Sequence, residues 1–211
     1  METKSYSKAE ALARLEALLA SSKSRVVLGI SGKPGVGKSS LSRFIVETFG
    51  QNRVCVVPMD GFHLSNRVLE DMGIRDCKGA PETFDASGFV SLLSRIRAQD
   101  KDPVYFPIFN RAIEESIAAQ GVLHQDVQLV LVEGNYLNLE SEPWNQIIDL
   151  LDDSWFLTLP EEIRIERLVT RHEAFGKSRA EAIAWANGSD QRNAELIERS
   201  RHTSRISVEV D

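Results

Sequence analysis

Six short apolar runs punctuate the chain, and most of the stretches between them carry helical spacing. Val26–Ile30, Val54–Val57 and Val127–Val132 are continuous and rich in β-branched residues. Continuous runs of this kind predict strands buried on both faces, as in a parallel sheet. Trp155–Leu159 predicts a fourth strand. Ile206–Val210 alternates enough to predict a strand at the sheet edge. Ser7 and Glu10 have capping-box spacing ahead of Leu12, Leu15 and Leu19, which predicts a helix over 7–21. Leu41, Phe44, Ile45 and Phe49 mark a second helix over 38–49, stopped by Gly50. A third is predicted over 85–98. Pro160 opens a fourth at the first helical position, and Ser178 with Glu181 caps a fifth that continues to about Ser200. The stretch from about Gly61 to Gly121, with a short apolar run at Val104–Phe106, is the least regular and predicts loops inserted over a site. Alternating strands and helices define an α/β fold, a mostly parallel sheet with helices on both faces. One domain over 1–211 is expected.

Composition narrows the function classes. The 211 residues include 25 Lys and Arg against 31 Asp and Glu, a formal charge of −6. A protein that tracks nucleic-acid phosphates normally shows a basic excess, so no nucleic-acid partner is expected. Two cysteines, Cys55 and Cys77, cannot build a disulfide framework. No apolar run approaches a membrane span and the N-terminus lacks a signal-peptide pattern, so a cytoplasmic protein without a membrane partner is expected.

The strongest chemical signal is Gly32-Lys33-Pro34-Gly35-Val36-Gly37-Lys38-Ser39, a complete G-x-x-x-x-G-K-S between a predicted strand and a predicted helix. Glycines let backbone N–H groups curl around phosphate oxygens, and the helix N-terminus adds its positive end. Gly32, Pro34, Gly35, Val36, Gly37, Lys38, Ser39 and Ser40 are therefore the expected nucleotide contacts, with the Ser39 hydroxyl on Mg²⁺. The motif predicts a P-loop three-layer sandwich. Asp60 and Glu133 follow the second and third strands, where ligands bind in parallel sheets. Asp60 is placed to take a proton from an acceptor hydroxyl, and Glu133 to assist the metal. Arg164, Arg167 and Arg171 line one helical face at i, i+3, i+7. His63 lies close to Asp60, and Tyr105 and Tyr136 are expected to wall an acceptor pocket. The four histidines lack the spacing of a zinc site. A switch-type NTPase is the rival reading, although the Asn-Lys-x-Asp that reads guanine is absent.

With these motifs, Met59-Asp60-Gly61-Phe62-His63, Lys78-Gly79-Ala80-Pro81-Glu82-Thr83-Phe84-Asp85 and Val132-Glu133-Gly134-Asn135-Tyr136 occur in an order that resembles the phosphoribulokinase, uridine kinase and pantothenate kinase superfamily. Within it the chain is similar to bacterial fructose transport system kinases, over about Val26 to Val210. The resemblance implies ATP and Mg²⁺, a catalytic Asp60 and Lys38, and a helical lid over about 161–178 carrying Arg167 and Arg171. It also implies a small-molecule hydroxyl acceptor and a monomer or homodimer. The acceptor residues it suggests are His63, Lys78, Tyr105, Asn110, Arg111 and Tyr136. The segment at 78–85 is closer to the pantothenate kinase form than to uridine kinases, which carry Asp and His where this chain has Gly79 and Ala80. Asn110 stands where many relatives have aspartate. A sugar, a pantothenate-like compound or a related polyol is the implied acceptor, with a nucleoside as the alternative. Asn193 is expected either to order the C-terminal helix near the nucleotide or to make a structural hydrogen bond.

Overall fold

The computed structural model describes residues 4–211. Its main sheet has six strands, all parallel: β1 (Ser5–Ser7), β2 (Val26–Gly32), β3 (Val54–Pro58), β6 (Leu129–Glu133), β7 (Asp153–Thr158) and β8 (Ile206–Glu209). Their spatial order is β1-β8-β7-β2-β6-β3. β2 is central, paired with β6 on one side and β7 on the other.

The apolar runs are continuous because each strand feeds two cores. Leu129 and Leu131 of β6 pack with Leu28 and Ile30 against helices α1 (Lys8–Ser21) and α2 (Lys38–Phe49). Val130 and Val132 face the other way, toward Phe89, Leu92, Leu93 and Ile96 of α4 (Ala86–Arg97). The capping box at Ser7 and Glu10 is formed, and Asp85 caps α4 by accepting the Gly88 N–H at 2.8 Å. No described helix is long and apolar enough to cross a membrane.

Several boundaries differ from expectation. The C-terminal strand is not the edge: β1, three residues too short to show in the sequence, covers it. The stretch at 178–200 is two helices, α6 (Arg179–Asn187) and α7 (Ser189–Arg199), joined at Gly188. Pro160 is the N-cap of α5 (Glu161–Ala174) rather than its first helical residue. The region at 61–121 is more ordered than inserted loops. It holds a short helix α3 (Asn66–Asp71), α4, and an antiparallel hairpin of β4 (Val104–Asn110) and β5 (Glu115–Leu123). The hairpin register shifts between Phe106 and Ile108, around Pro107, which has no N–H to give the ladder.

Candidate active site

The P-loop leaves β2 and wraps to the start of α2. Gly35 and Gly37 have φ of 84° and 101°, a region that favours glycine. At Gly35 there is also no room: a Cβ would lie 2.7 Å from Leu168 Cγ and 2.9 Å from the Arg164 carbonyl oxygen. Val36 is buried in the core and anchors the loop. Gly37 caps α2 without a side chain, so the helix N–H groups face outward with no side-chain cap. Lys38 folds back over the loop, its Nζ donating to the carbonyls of Gly32 (2.8 Å) and Lys33 (3.2 Å). Burial pushes Lys38 down to about 8, while the charges of Asp60 and Glu133 pull it upward.

The strand ends bring two carboxylates toward this loop. The Glu133 oxygens accept the hydroxyls of Ser39 (3.1 Å) and Ser42 (2.9 Å), and burial raises its pKa. Ser39 and Ser40 are exposed on the first turn of α2. Asp60 lies in a 3-10 turn after β3, held outward because Met59 beside it is buried. The hairpin comes close here: a Cβ on Gly61 would lie 2.1 Å from the Pro107 carbonyl oxygen. That approach brings Arg111 Nη2 within 3.0 Å of Asp60 Oδ2.

Other predicted residues divide. His63 stacks on Phe84 with centroids 3.9 Å apart and leans on Phe109 at 4.9 Å. Burial pushes it down to about 4, so its ring is neutral at neutral pH. Lys78 Nζ donates to Asn66 Oδ1 (2.6 Å) and the Glu114 carbonyl (2.5 Å), and it lies 5.1 Å from the Phe109 ring centroid. Asn110 Oδ1 accepts the Ala112 N–H at 2.9 Å and so shapes the hairpin turn. Tyr136 is fully buried among Phe84 and Trp144, and only its hydroxyl reaches out, donating to the Gly79 carbonyl at 2.5 Å. Tyr105 does not wall a pocket. It is 54% exposed, and strand alternation sends it away from its buried neighbour Phe106.

The arginines of α5 also divide. Arg164 is fully buried, with Nη1 on the Pro34 carbonyl (3.0 Å), Nη2 on Gln191 Oε1 (2.7 Å) and an ion pair to Glu161. It is a structural bolt between the P-loop, α5 and α7. Lys33 adds to it through Glu161 at 2.9 Å and Glu198 at 3.5 Å. Arg167 lies beside the loop: Nη1 is 3.5 Å from where a Gly37 Cβ would stand, and Nη2 donates to the Asp211 backbone oxygen at 2.6 Å. Arg171 is half-buried, and its pKa is lowered by burial and by Arg111, against the pull of Asp190 and Asp60. Asn193 Nδ2 donates to the Gly79 carbonyl at 3.4 Å, on the segment that follows Lys78 rather than on the P-loop. Phe84, Phe109 and Asn66 escaped the sequence reading. Phe84 lies inside the quoted segment at 78–85 and Phe109 directly precedes Asn110, so both could have been flagged as aromatics, whereas nothing around Asn66 signalled it.

A parallel α/β sheet with a glycine loop on a helix N-terminus, and acids at the neighbouring strand ends, defines a P-loop nucleotide-binding protein. Residues 28–194 match the family model described as an AAA domain. The chain is 33% identical over 190 residues to the uncharacterised protein YggC of Escherichia coli, covering 88% of this chain and 78% of that one. It is 31% identical over 195 residues to a provisionally named uridine kinase, C227.14, of Schizosaccharomyces pombe, covering 88% and 83%. Among solved structures, a provisionally named fructose transport system kinase from Silicibacter sp. TM1040 superposes with a TM-score of 0.84 at 35% identity, covering 94% and 97%. The chain belongs to the P-loop kinases of the phosphoribulokinase, uridine kinase and pantothenate kinase superfamily. It is an ATP-dependent phosphotransferase that acts on a hydroxyl group.

Proposed function

We propose that this kinase transfers the γ-phosphoryl group of ATP to a hydroxyl of a sugar, a pantothenate-like compound or a related polyol. The observation that carries this reading is the position of Asp60. It stands at the carboxyl edge of the sheet, its charge acts on Lys38 and Arg171, and Arg111 fixes one of its oxygens. The triphosphate would lie on Gly32, Pro34, Gly35, Val36, Gly37, Lys38, Ser39 and Ser40. The free carboxylate oxygen of Asp60 would accept the proton of the acceptor hydroxyl as its oxygen attacks phosphorus. The bond from the γ-phosphorus to the bridging oxygen breaks, ADP leaves, and the proton passes from Asp60 to solvent. Lys38, Arg167 and Arg171 would hold the charge that spreads over the transferring group.

Ser39 and Glu133 fit magnesium, since their oxygens are hard donors 3.1 Å apart and Mg²⁺ prefers few protein ligands together with phosphate oxygens. Bound there, the ion would neutralise phosphate charge. Residues 1–211 would act as one cytoplasmic domain, monomeric or homodimeric, with a lid over about 161–178. A nucleoside acceptor is the second reading, favoured by the name of the S. pombe relative. Gly79 and Ala80 weigh against it, because they offer no polar side chain to a ribose.

The test is ADP release by the purified protein with Mg-ATP and a panel of sugars, pantothenate, polyols and nucleosides. Release that depends on an acceptor and disappears in Asp60→Asn is expected. Equal turnover without any acceptor, unchanged by that substitution, would sink the proposal.

A further inference from the structure

Beside Asp60, two cations keep hydrogen-bond donors that no carboxylate fills among the described residues. Arg111 spends only Nη2 on Asp60, and a guanidinium has five N–H donors. Among the described residues its Nε and Nη1 have no protein hydrogen-bond partner, and the side chain is 48% exposed. Lys78 is held only by neutral oxygens, those of Asn66 and the Glu114 backbone, with no carboxylate within 4.0 Å among the described residues. Both cations lie along the same ring, Phe109, at 5.1 Å for Lys78 and 6.0 Å for Arg111.

The nearby acids do not pair directly with either cation's remaining donors. Glu115 accepts the Asn66 N–H at 3.0 Å, the charges of Glu114 and Glu115 reach Lys78 only at longer range, and Asp190 is paired with His172 at 2.7 Å. Asn110 contributes no charge at the hairpin tip. The triphosphate accounts for Lys38, Arg167 and Arg171. Arg111 and Lys78 belong to neither the P-loop nor α5; they sit at the hairpin and on the segment at 78–85, with Arg111 near enough to Arg171 for the two charges to act on each other.

We infer that Arg111 and Lys78 form an anion site beside Asp60, so that the acceptor is a hydroxy acid, a sugar acid or a sugar phosphate rather than a neutral sugar or nucleoside. This rests on the reading of Asp60 as the proton acceptor. Arg111 occupies one Asp60 oxygen and leaves the other for the hydroxyl. An anion on the remaining donors of the same guanidinium therefore lies only a few bonds from the hydroxyl that is phosphorylated. Charge-assisted hydrogen bonds of this kind amount to about 10- to 100-fold in affinity. Carboxylate and phosphate share the chemistry, and the choice between them falls to experiment.

The experiment is calorimetric titration of the protein saturated with magnesium and a non-hydrolysable ATP analogue, which occupies the P-loop and keeps added anions out of it. The titrants are matched pairs: gluconate against glucose, glycerate against glycerol, and ribose 5-phosphate against ribose. At least one charged member is expected to bind about 10-fold or more tightly than its neutral partner. Which pair responds tells carboxylate from phosphate. Arg111→Gln and Lys78→Gln should each remove most of that preference, and Arg111→Lys should keep part of it. Thermal unfolding of each variant checks that it is folded. Neutral members binding as tightly, a preference that survives Arg111→Gln, or no binding by any member would each overturn the anion site. ADP release separates this from the parent reading. A neutral acceptor phosphorylated in an Asp60-dependent way would overturn the anion site alone, whereas acceptor-independent turnover would overturn the kinase assignment of Asp60.

Discussion

The two sides of the site are made of different material. The nucleotide side is backbone: glycine dihedrals, a helix start without a side-chain cap, and one lysine folded over carbonyls. The proposed acceptor side is made of side chains from segments far apart in the chain, namely Asp60, Lys78 and Arg111, set on short turns and a hairpin. A backbone cradle suits a ligand that never changes. Side chains on a hairpin can be exchanged one at a time without disturbing the sheet, so acceptor choice can vary over a constant phosphate site.

The largest effects should separate the two sides kinetically. Asp60→Asn is expected to lower acceptor-dependent turnover by about 10²- to 10⁴-fold while leaving the KM for ATP nearly unchanged, read by steady-state ADP release. Lys38→Ala should cost about 10²- to 10³-fold, and the loss should appear with every acceptor because it acts on phosphate charge. If Asp60→Asn weakened ATP binding as much as Lys38→Ala does, the division would fail. Next in size, Gly35→Ala forces a strained φ and meets α5, so a loss of about 1–3 kcal/mol is expected in denaturant unfolding, along with weaker nucleotide binding. Addition of the same methyl at Gly73, which has φ of 71° but nothing within 4 Å, should strain the backbone without touching the site.

The smallest effect concerns pH. Hydrogen bonds from Arg164, then from Lys33, hold Glu161 down to about 2 against its ordinary 4.5. Between those values the unfolded chain binds more protons than the folded one, so stability falls as pH falls. The contribution of Glu161 is complete above about 4.5 and is lost as pH drops toward 2. Melting temperatures of wild type and Glu161→Gln should therefore differ at pH 7 and converge in acid. The gap should be modest, because the Glu161 side chain is 38% exposed and solvent screens the pair.

The same contrast governs what the sequence reveals. The P-loop is eight consecutive residues, and the strand and helix beside it are strongly patterned, so its place was legible. Asp60 and Glu133 were legible because each ends an apolar run. β1 was not, since three residues carry no period, and its presence moved the sheet edge away from β8. The hairpin was hidden by Pro107 and by the polar, exposed face of β5. Without the hairpin the pairing of Arg111 with Asp60 has no sequence signal, since 51 residues separate them. Tyr105 misled for the same reason: which face a strand residue takes depends on a register that only the fold supplies. Arg164 shares the spacing of Arg167 and Arg171 but is buried, and helical spacing alone cannot tell a ligand-facing guanidinium from one sealed under its own helix.

That sealed guanidinium also bears on how firmly the P-loop is held. Arg164 and Leu168 press the first half of α5 onto Pro34 and Gly35, and Gln191 and Glu198 fasten the same place to α7. The P-loop is thus riveted to α5 and α7 at one place, and α5 is in turn packed on α6 through Leu168, Val169, Ala182 and Ala186. A lost contact in either helix would therefore be felt at the glycines that give the loop its shape.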